Sequence, residues 1–462
     1  MELIQKRSRV ILQTEIQNSL TLAIPAILTQ LAETAIGFID LVMMGWLGSE
    51  ALAAGGLGVI TFYTFTYIGT GLFEGLGALV AEAFGREDIE EIRKLTIQGL
   101  WLNLIFSLPM MLFLWHLGSI LPLLGQEEKI ASSVTIYLQA IVWGFPAALG
   151  IVLFKGVTIA CDRPQFLTII TAISVPLSAL ANYILIFGHW GFPALGLAGA
   201  GWASTIIFGL TFFIILGYLQ FHPDFQKYQF FNSLWYGDRH LFSKILKIGI
   251  PISIQFGSEL GLFLCTSLFM GYLGTANLAA HEITLSIFEL AIVIPFGFSY
   301  ATVVRVGQRL GSNNIESSKN AVLIDLLLNA VITSIIALFI WLFPEQIIAI
   351  YLDKSSTNYT EITNISISLL GIAALCQSIY GLHLIAIGAL QGLQDALVPM
   401  WINLSIYWGI GVGGSYFLAI ILNLGTVSIW FALTIAILIS TGILIWRFFH
   451  ILSHPLNLKN NG

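Results

Sequence analysis

The chain has 462 residues, 57% of them hydrophobic and only 10% charged, where a soluble chain of this length carries roughly 25% charged residues. That composition excludes a soluble enzyme and a disordered protein, and a formal net charge of −6 excludes a nucleic-acid binder. Cys161, Cys265 and Cys376 stand far apart beside apolar runs, so neither a disulfide framework nor a CxxC metal site is expected.

The first 16 residues, MELIQKRSRVILQTEI, are polar and basic, with no cleavable signal peptide behind them. Twelve apolar stretches follow, at 17–45, 52–83, 96–118, 132–158, 165–188, 194–220, 243–270, 278–307, 319–343, 361–392, 398–422 and 426–451. A membrane-crossing helix needs about 20 apolar residues, so the expected fold is an all-α integral membrane protein with twelve transmembrane helices. With both termini cytoplasmic, 17 of the 19 Lys and Arg fall on the inner side, and only Lys129 and Lys354 fall outside. A multi-pass protein of a bacterial-type cytoplasmic membrane follows.

The chain repeats itself at an offset of 226 residues. Residues 24–54 match 250–280 at ten of 31 positions, among them Pro25/Pro251, Glu33/Glu259, Gly45/Gly271 and Gly48/Gly274, and the register continues to Gly71/Gly297 and Gly85/Gly311. Each half then holds six helices. Six is even, so the two lobes run the same way through the bilayer, related by a pseudo-two-fold along the membrane normal. The expected division is an N-lobe at 1–220, a cytoplasmic linker at 221–242 and a C-lobe at 243–462. Pro25 and Pro251 each remove a backbone donor inside the first helix of a half and are expected to bend it. The repeated Gly45/Gly271 and Gly48/Gly274 are expected to close outer turns.

Acids stand out within the spans: Glu33, Asp40, Glu74, Glu259, Glu282, Glu289 and Asp325, with no Lys or Arg expected equally deep. A carboxylate buried without a base takes a proton or finds a cation, so the set points to handling of H+, Na+ or organic cations. Glu33 and Asp40 are seven residues apart, on nearly one helix face and about 10 Å apart along the axis. Glu282 and Glu289 have the same spacing. Glu33 and Glu259 are repeat equivalents, and Glu74 and Glu289 are secondary candidates. Asp325 lies six residues past Lys319 and is expected to pair with it. His281 and His383 are read as satisfied polar spots, and Tyr63, Tyr67, Tyr380 and Tyr407 as rings able to face a flat cation.

The segment ETAIGFIDLVMMGWLGSEALAA (33–54) resembles the first helix of the multidrug and toxic compound extrusion (MATE) family. IPISIQFGSELGLFLCTSLFMGYLGTANLAAHEIT (250–284) resembles its helices 7 and 8, and VGQRLGSNN (306–314), GALQGLQDALVPM (388–400) and YWGIGVGG (407–414) are further family-like motifs. The resemblance covers the whole chain and is nearest to the NorM-type bacterial branch. It implies a cation-coupled exporter of amphipathic, often cationic compounds, with two six-helix lobes. It places Asp40 on the family's helix 1 aspartate, Glu259 on its helix 7 glutamate, and Asn182 and Thr205 where some members complete an N-lobe ion site. The helix 10 acid of NorM-type members falls on Tyr380, while Glu282 and Glu33 stand where Gln is common. Glu259 and Glu282 are therefore expected to act as a coupled pair that makes up the missing charge.

The function expected is secondary antiport by alternating access, in which an organic cation or drug leaves in exchange for H+ or Na+. The partners expected are that small molecule and the lipid bilayer, for a monomer without nucleic acid, metal or cofactor beyond the coupling ion. A flippase for a lipid-linked precursor, of related fold, would need cavity Arg or Lys for the diphosphate. A membrane-embedded enzyme would need a polar motif such as HExxH or GxSxG, which the sequence lacks. A passive channel would not require so many unpaired acids.

Overall fold

The computed structural model describes residues 2–124, 128–230, 237–352 and 358–453. Among them, twelve helices are long and apolar enough to cross a membrane. They are α1 (Glu2–Gly45), α2 (Ser49–Gly85), α3 (Ile89–Leu117), α4 (Glu128–Ala160), α5 (Gln165–Phe187), α6 (Leu197–Phe221), α7 (Arg239–Leu273), α8 (Thr275–Gly311), α9 (Ser318–Leu342), α10 (Tyr359–Gly392), α11 (Leu397–Ile421) and α12 (Val427–Ser453). Each falls on one apolar stretch of the sequence. Residues 231–236 of the expected linker, Lys354 and Lys459 lie outside the described residues.

The helix boundaries have local causes. Gly48 (φ +118°) and Gly274 (φ +130°) precede α2 and α8 in a backbone region that side chains avoid, so the repeated glycines do close tight turns. Asp88 caps α3 by accepting a hydrogen bond from the Glu91 N–H. A 3-10 turn at Val142–Gly144 interrupts α4, just ahead of Pro146, and π-helical turns at Tyr407–Val412 and Phe417–Ile421 widen the glycine-rich α11. The linker is partly packed: a short helix at Pro223–Gln226 follows α6, and Phe225 and Tyr228 are buried.

The compact units do not follow the halves of the repeat. One comprises Met1–Ile27 with Ile254–Gly462, the other Leu28–Ser253. Each half's first helix thus begins in the unit built mainly by the opposite half and leaves it two residues past its proline, Pro25 or Pro251.

Glycines hold these exchanged segments. A Cβ added at Gly71 of α2 would lie 2.5 Å from the Ser253 nitrogen, and one at Gly75 would lie 2.9 Å from the Gly249 nitrogen. In the other unit, a Cβ added at Gly297 of α8 would lie 2.9 Å from the Ala23 carbonyl oxygen and 2.3 Å from Ile27 Cγ1. Gly71/Gly297, Ala23/Gly249 and Ile27/Ser253 all differ by the repeat offset, so the same close crossing is built twice. Charge reinforces it: Lys244 Nζ of α7 lies 3.6 Å from Glu82 of α2, and Glu15 of α1 pairs with Arg305 and Arg309 of α8.

Candidate ion and substrate sites

In the Leu28–Ser253 unit, Asp40 of α1 is buried, and three side chains converge on it. Asn182 Nδ2 donates to Oδ1 at 2.5 Å, Ser178 Oγ to the same oxygen at 3.3 Å, and Ser204 Oγ to Oδ2 at 3.0 Å. Ser178 and Asn182 are one turn apart on α5, so a single face supplies both. No Lys or Arg pairs with Asp40 among the described residues. Asn182 Oδ1 is buried without a hydrogen-bond partner, which adds an unsatisfied oxygen to the cluster. A carboxylate held only by neutral donors, beside spare oxygens, is suited to take up a proton or a small hard cation.

Thr205, one residue on, turns away and donates to the Ala140 carbonyl of α4 at 2.8 Å. A helix advances 100° per residue, so neighbours cannot share a face. The buried face of α6 runs Ala200, Ser204, Ile207, Thr211, and Thr211 bonds Ser174 of α5, so the sequence spacing carries Ser204 rather than Thr205 toward α5.

Glu33 corrects the expectation that no base lies deep. Lys155 of α4 is buried, and its Nζ lies 3.3 and 3.4 Å from the two Glu33 carboxylate oxygens. Arg305 of α8 is buried as well and takes Asp325 of α9 at 2.8 Å, with Ser19 and Thr302 also donating to that carboxylate. The expected partner Lys319 is therefore replaced by Arg305. Six residues turn a helix through 600°, which puts Lys319 and Asp325 on different faces.

In the other unit, Tyr380 of α10 donates its hydroxyl to Glu259 of α7. The Tyr380 ring stacks on His383, and His383 Nε2 lies 2.7 Å from the Tyr407 hydroxyl of α11. Trp408 Nε1 donates to Ser258 Oγ at 2.9 Å, tying the π-helical turn of α11 to α7 beside Glu259. Tyr380, His383 and Tyr407 are all buried, so both tyrosines serve the polar interior of this unit, while Tyr63 and Tyr67 are half-buried on α2.

Glu282 of α8 is exposed and accepts from Ser267 Oγ at 2.9 Å. Ser267 lies eight residues, about 12 Å, beyond Glu259 along α7, so Glu282 sits about two turns away from Glu259. The expected Glu259–Glu282 pair is thus replaced by Glu259–Tyr380 and Glu282–Ser267. Glu289 lies on the same exposed side of α8 as Glu282, and Glu74 is half-buried on α2. His281 Nδ1 accepts from Trp430 Nε1 at 3.1 Å, while its Nε2 is buried without a partner.

The MatE family profile matches residues 25–184 and again residues 251–417. The two matches start at Pro25 and Pro251, separated by the offset of the internal repeat. The chain belongs to the MatE family. A probable multidrug resistance protein NorM of Synechocystis sp. is 37% identical over 437 residues, covering 95% of each chain. The protein of the same name in Pseudomonas aeruginosa is 32% identical over 419 residues, covering 91% of this chain and 86% of that one. Among solved structures, the eukaryotic MATE transporter AtDTX14 superposes with a TM-score of 0.85 at 19% identity, over 95% of this chain and 96% of that one. A MATE in the bent conformation gives 0.87 at 19% identity over 98% of both.

As a MatE member the chain is a multi-pass membrane transporter and not an enzyme. Among the described residues, each unit holds a carboxylate that accepts from neutral donors, buried Asp40 in one and half-buried Glu259 in the other, beside carboxylates paired with Lys or Arg. Asp40–Asn182 joins residues legible in the sequence. Ser204, Lys155 and the His383–Tyr407 contact come from distant segments, and of these only Ser204 left a trace in helical spacing.

Proposed function

We propose that the chain is a secondary antiporter that exports amphipathic organic cations in exchange for H+ or Na+ by alternating access. The observation that carries this reading is Asp40, a buried carboxylate bound by three neutral donors, with the unsatisfied Asn182 oxygen beside it. Such a site gains a proton or Na+ at little structural cost, and the ion biases the transport cycle only through its different affinity for the two access states. The names of the NorM relatives, multidrug resistance proteins, support a small organic molecule as the exported species. Glu259 with Tyr380 is the corresponding candidate in the other unit.

A flippase for a diphosphate-bearing lipid is less well supported, because the buried bases Lys155 and Arg305 are both engaged by carboxylates. The protein works as a monomer in a bacterial-type cytoplasmic membrane with both termini inside. Dye efflux from reconstituted vesicles under separately imposed H+ and Na+ gradients tests the reading. Efflux is expected under one gradient and lost in Asp40→Asn. Wild-type efflux in Asp40→Asn would make Asp40 structural only, and efflux indifferent to both gradients would remove the antiport.

A further inference from the structure

Two buried bases engage carboxylates inside the helices, and they do so differently. Arg305 meets Asp325 at 2.8 Å, a normal charge-assisted distance, and Asp325 is fully buried. Lys155 holds Glu33 at 3.3 and 3.4 Å, longer than the 2.7–2.9 Å of a tight ammonium–carboxylate bond. The exposure of this second pair is lopsided: the Lys155 side chain is 5% exposed and that of Glu33 35%. The ammonium thus sits on the inner side of a carboxylate whose other face is open. A lysine ammonium is a compact point charge on a flexible stem, able to yield a carboxylate without rebuilding a planar fork. Glu33 also shares a helix face with Asp40, one heptad or about 10 Å along the axis from the candidate ion cluster.

We infer that Lys155 is a built-in counter-cation for Glu33, and that a cationic substrate engages this carboxylate by displacing the Lys155 ammonium. The inference rests on the transport reading above and deepens it, because it names the residue that sets substrate affinity at this carboxylate. In the unloaded protein the pair is neutral, and the buried ammonium avoids the cost of an unpaired charge. When an organic cation takes the open face, the Lys155 ammonium is pushed off Glu33 but stays nearby, so the local charge rises by one. That excess positive charge weakens the loaded state, so Lys155 trades affinity for release.

The test is ethidium binding to the purified full-length protein in detergent, read by fluorescence anisotropy. Lys155→Met removes the competitor, and ethidium is expected to bind about 10-fold tighter, the scale of one charge-assisted contact. Lys155→Gln should move the same way, and the pair keeps the result interpretable if one variant melts early. Lys155→Arg should show no gain. In a Glu33→Gln background the gain from Lys155→Met should vanish, since the contested charge is gone. Unchanged or weaker binding in both Lys155→Met and Lys155→Gln, or a gain that survives Glu33→Gln, would overturn the inference while leaving transport intact. A wild-type protein that binds no ethidium would overturn the organic-cation reading together with it.

Discussion

Ser204 and Thr205 are both small hydroxyl residues on α6, yet they do separate jobs. Ser204 donates to a charged oxygen of Asp40, whereas Thr205 donates to a backbone carbonyl of α4. Losing a hydrogen bond to a charged group costs about 1.5–3 kcal/mol, and losing a neutral one about 1 kcal/mol. Ser204→Ala is therefore expected to change the coupling-ion concentration for half-maximal efflux roughly 10-fold or more, while Thr205→Ala lowers only the melting temperature. Equal effects of the two on ion dependence would place the hydroxyl of Thr205 in the site. At the loop between α4 and α5, burial pushes the Cys161 thiol up to about 12, and Asp162 adds to the shift against the Tyr228 hydrogen bond. Because alkylation needs the thiolate and the raised value disfavours it, Cys161 in a Cys265→Ser/Cys376→Ser background should react with maleimide at pH 8.5 at roughly a thousandth of the unfolded rate. Labelling as fast as in the unfolded chain would mean that the thiol is open to solvent.

The glycine crossings give the element scale its sharpest test. A methyl group at Gly71 or Gly297 has backbone in its way, at Ser253 and Ala23, and backbone cannot rotate aside as a side chain can. Gly71→Ala and Gly297→Ala should each cost about 1–3 kcal/mol, read as earlier melting in detergent and as reduced transport. Gly217→Ala on α6 meets nothing within 4 Å and should be neutral or stabilising by up to about 1 kcal/mol. If Gly71→Ala melts like wild type, α7 does not depend on that close approach. The repeat made Gly71 and Gly297 visible in the sequence as a matched pair, but not what they touch. Helix number and position follow from apolar length, Asp40 from a carboxylate that is out of place in a membrane, and Asn182 from the family resemblance. Partners contributed by other helices left no such mark: Lys155 reads as an inner-end positive charge until α4 is seen to carry it to Glu33.

At the scale of the whole molecule, sidedness rests on Lys and Arg. With Lys155 and Arg305 buried against Glu33 and Asp325, fifteen of these residues still mark the inner side against two outside. Single cysteines at Asp238 and Asn358 in a cysteine-free background should label from the cytoplasmic side and the outer side respectively with a membrane-impermeant maleimide. The opposite pattern would invert the topology. The exchanged first helices also govern how the chain is made. Glu15 finds Arg305 across 290 residues, so the start of α1 has no docking place until α8 has been synthesised. At roughly 5–20 residues per second that is a wait of about 15–60 s. The Leu28–Ser253 unit is likewise incomplete until α7 has begun, which rules out an order in which one six-helix half finishes before the other starts. The two crossings become possible at different points of synthesis, the first once Ser253 is made and the second once Arg309 is made, so a ribosome stalled at the linker leaves a nascent chain with one helix lacking its seat and one seat lacking its helix.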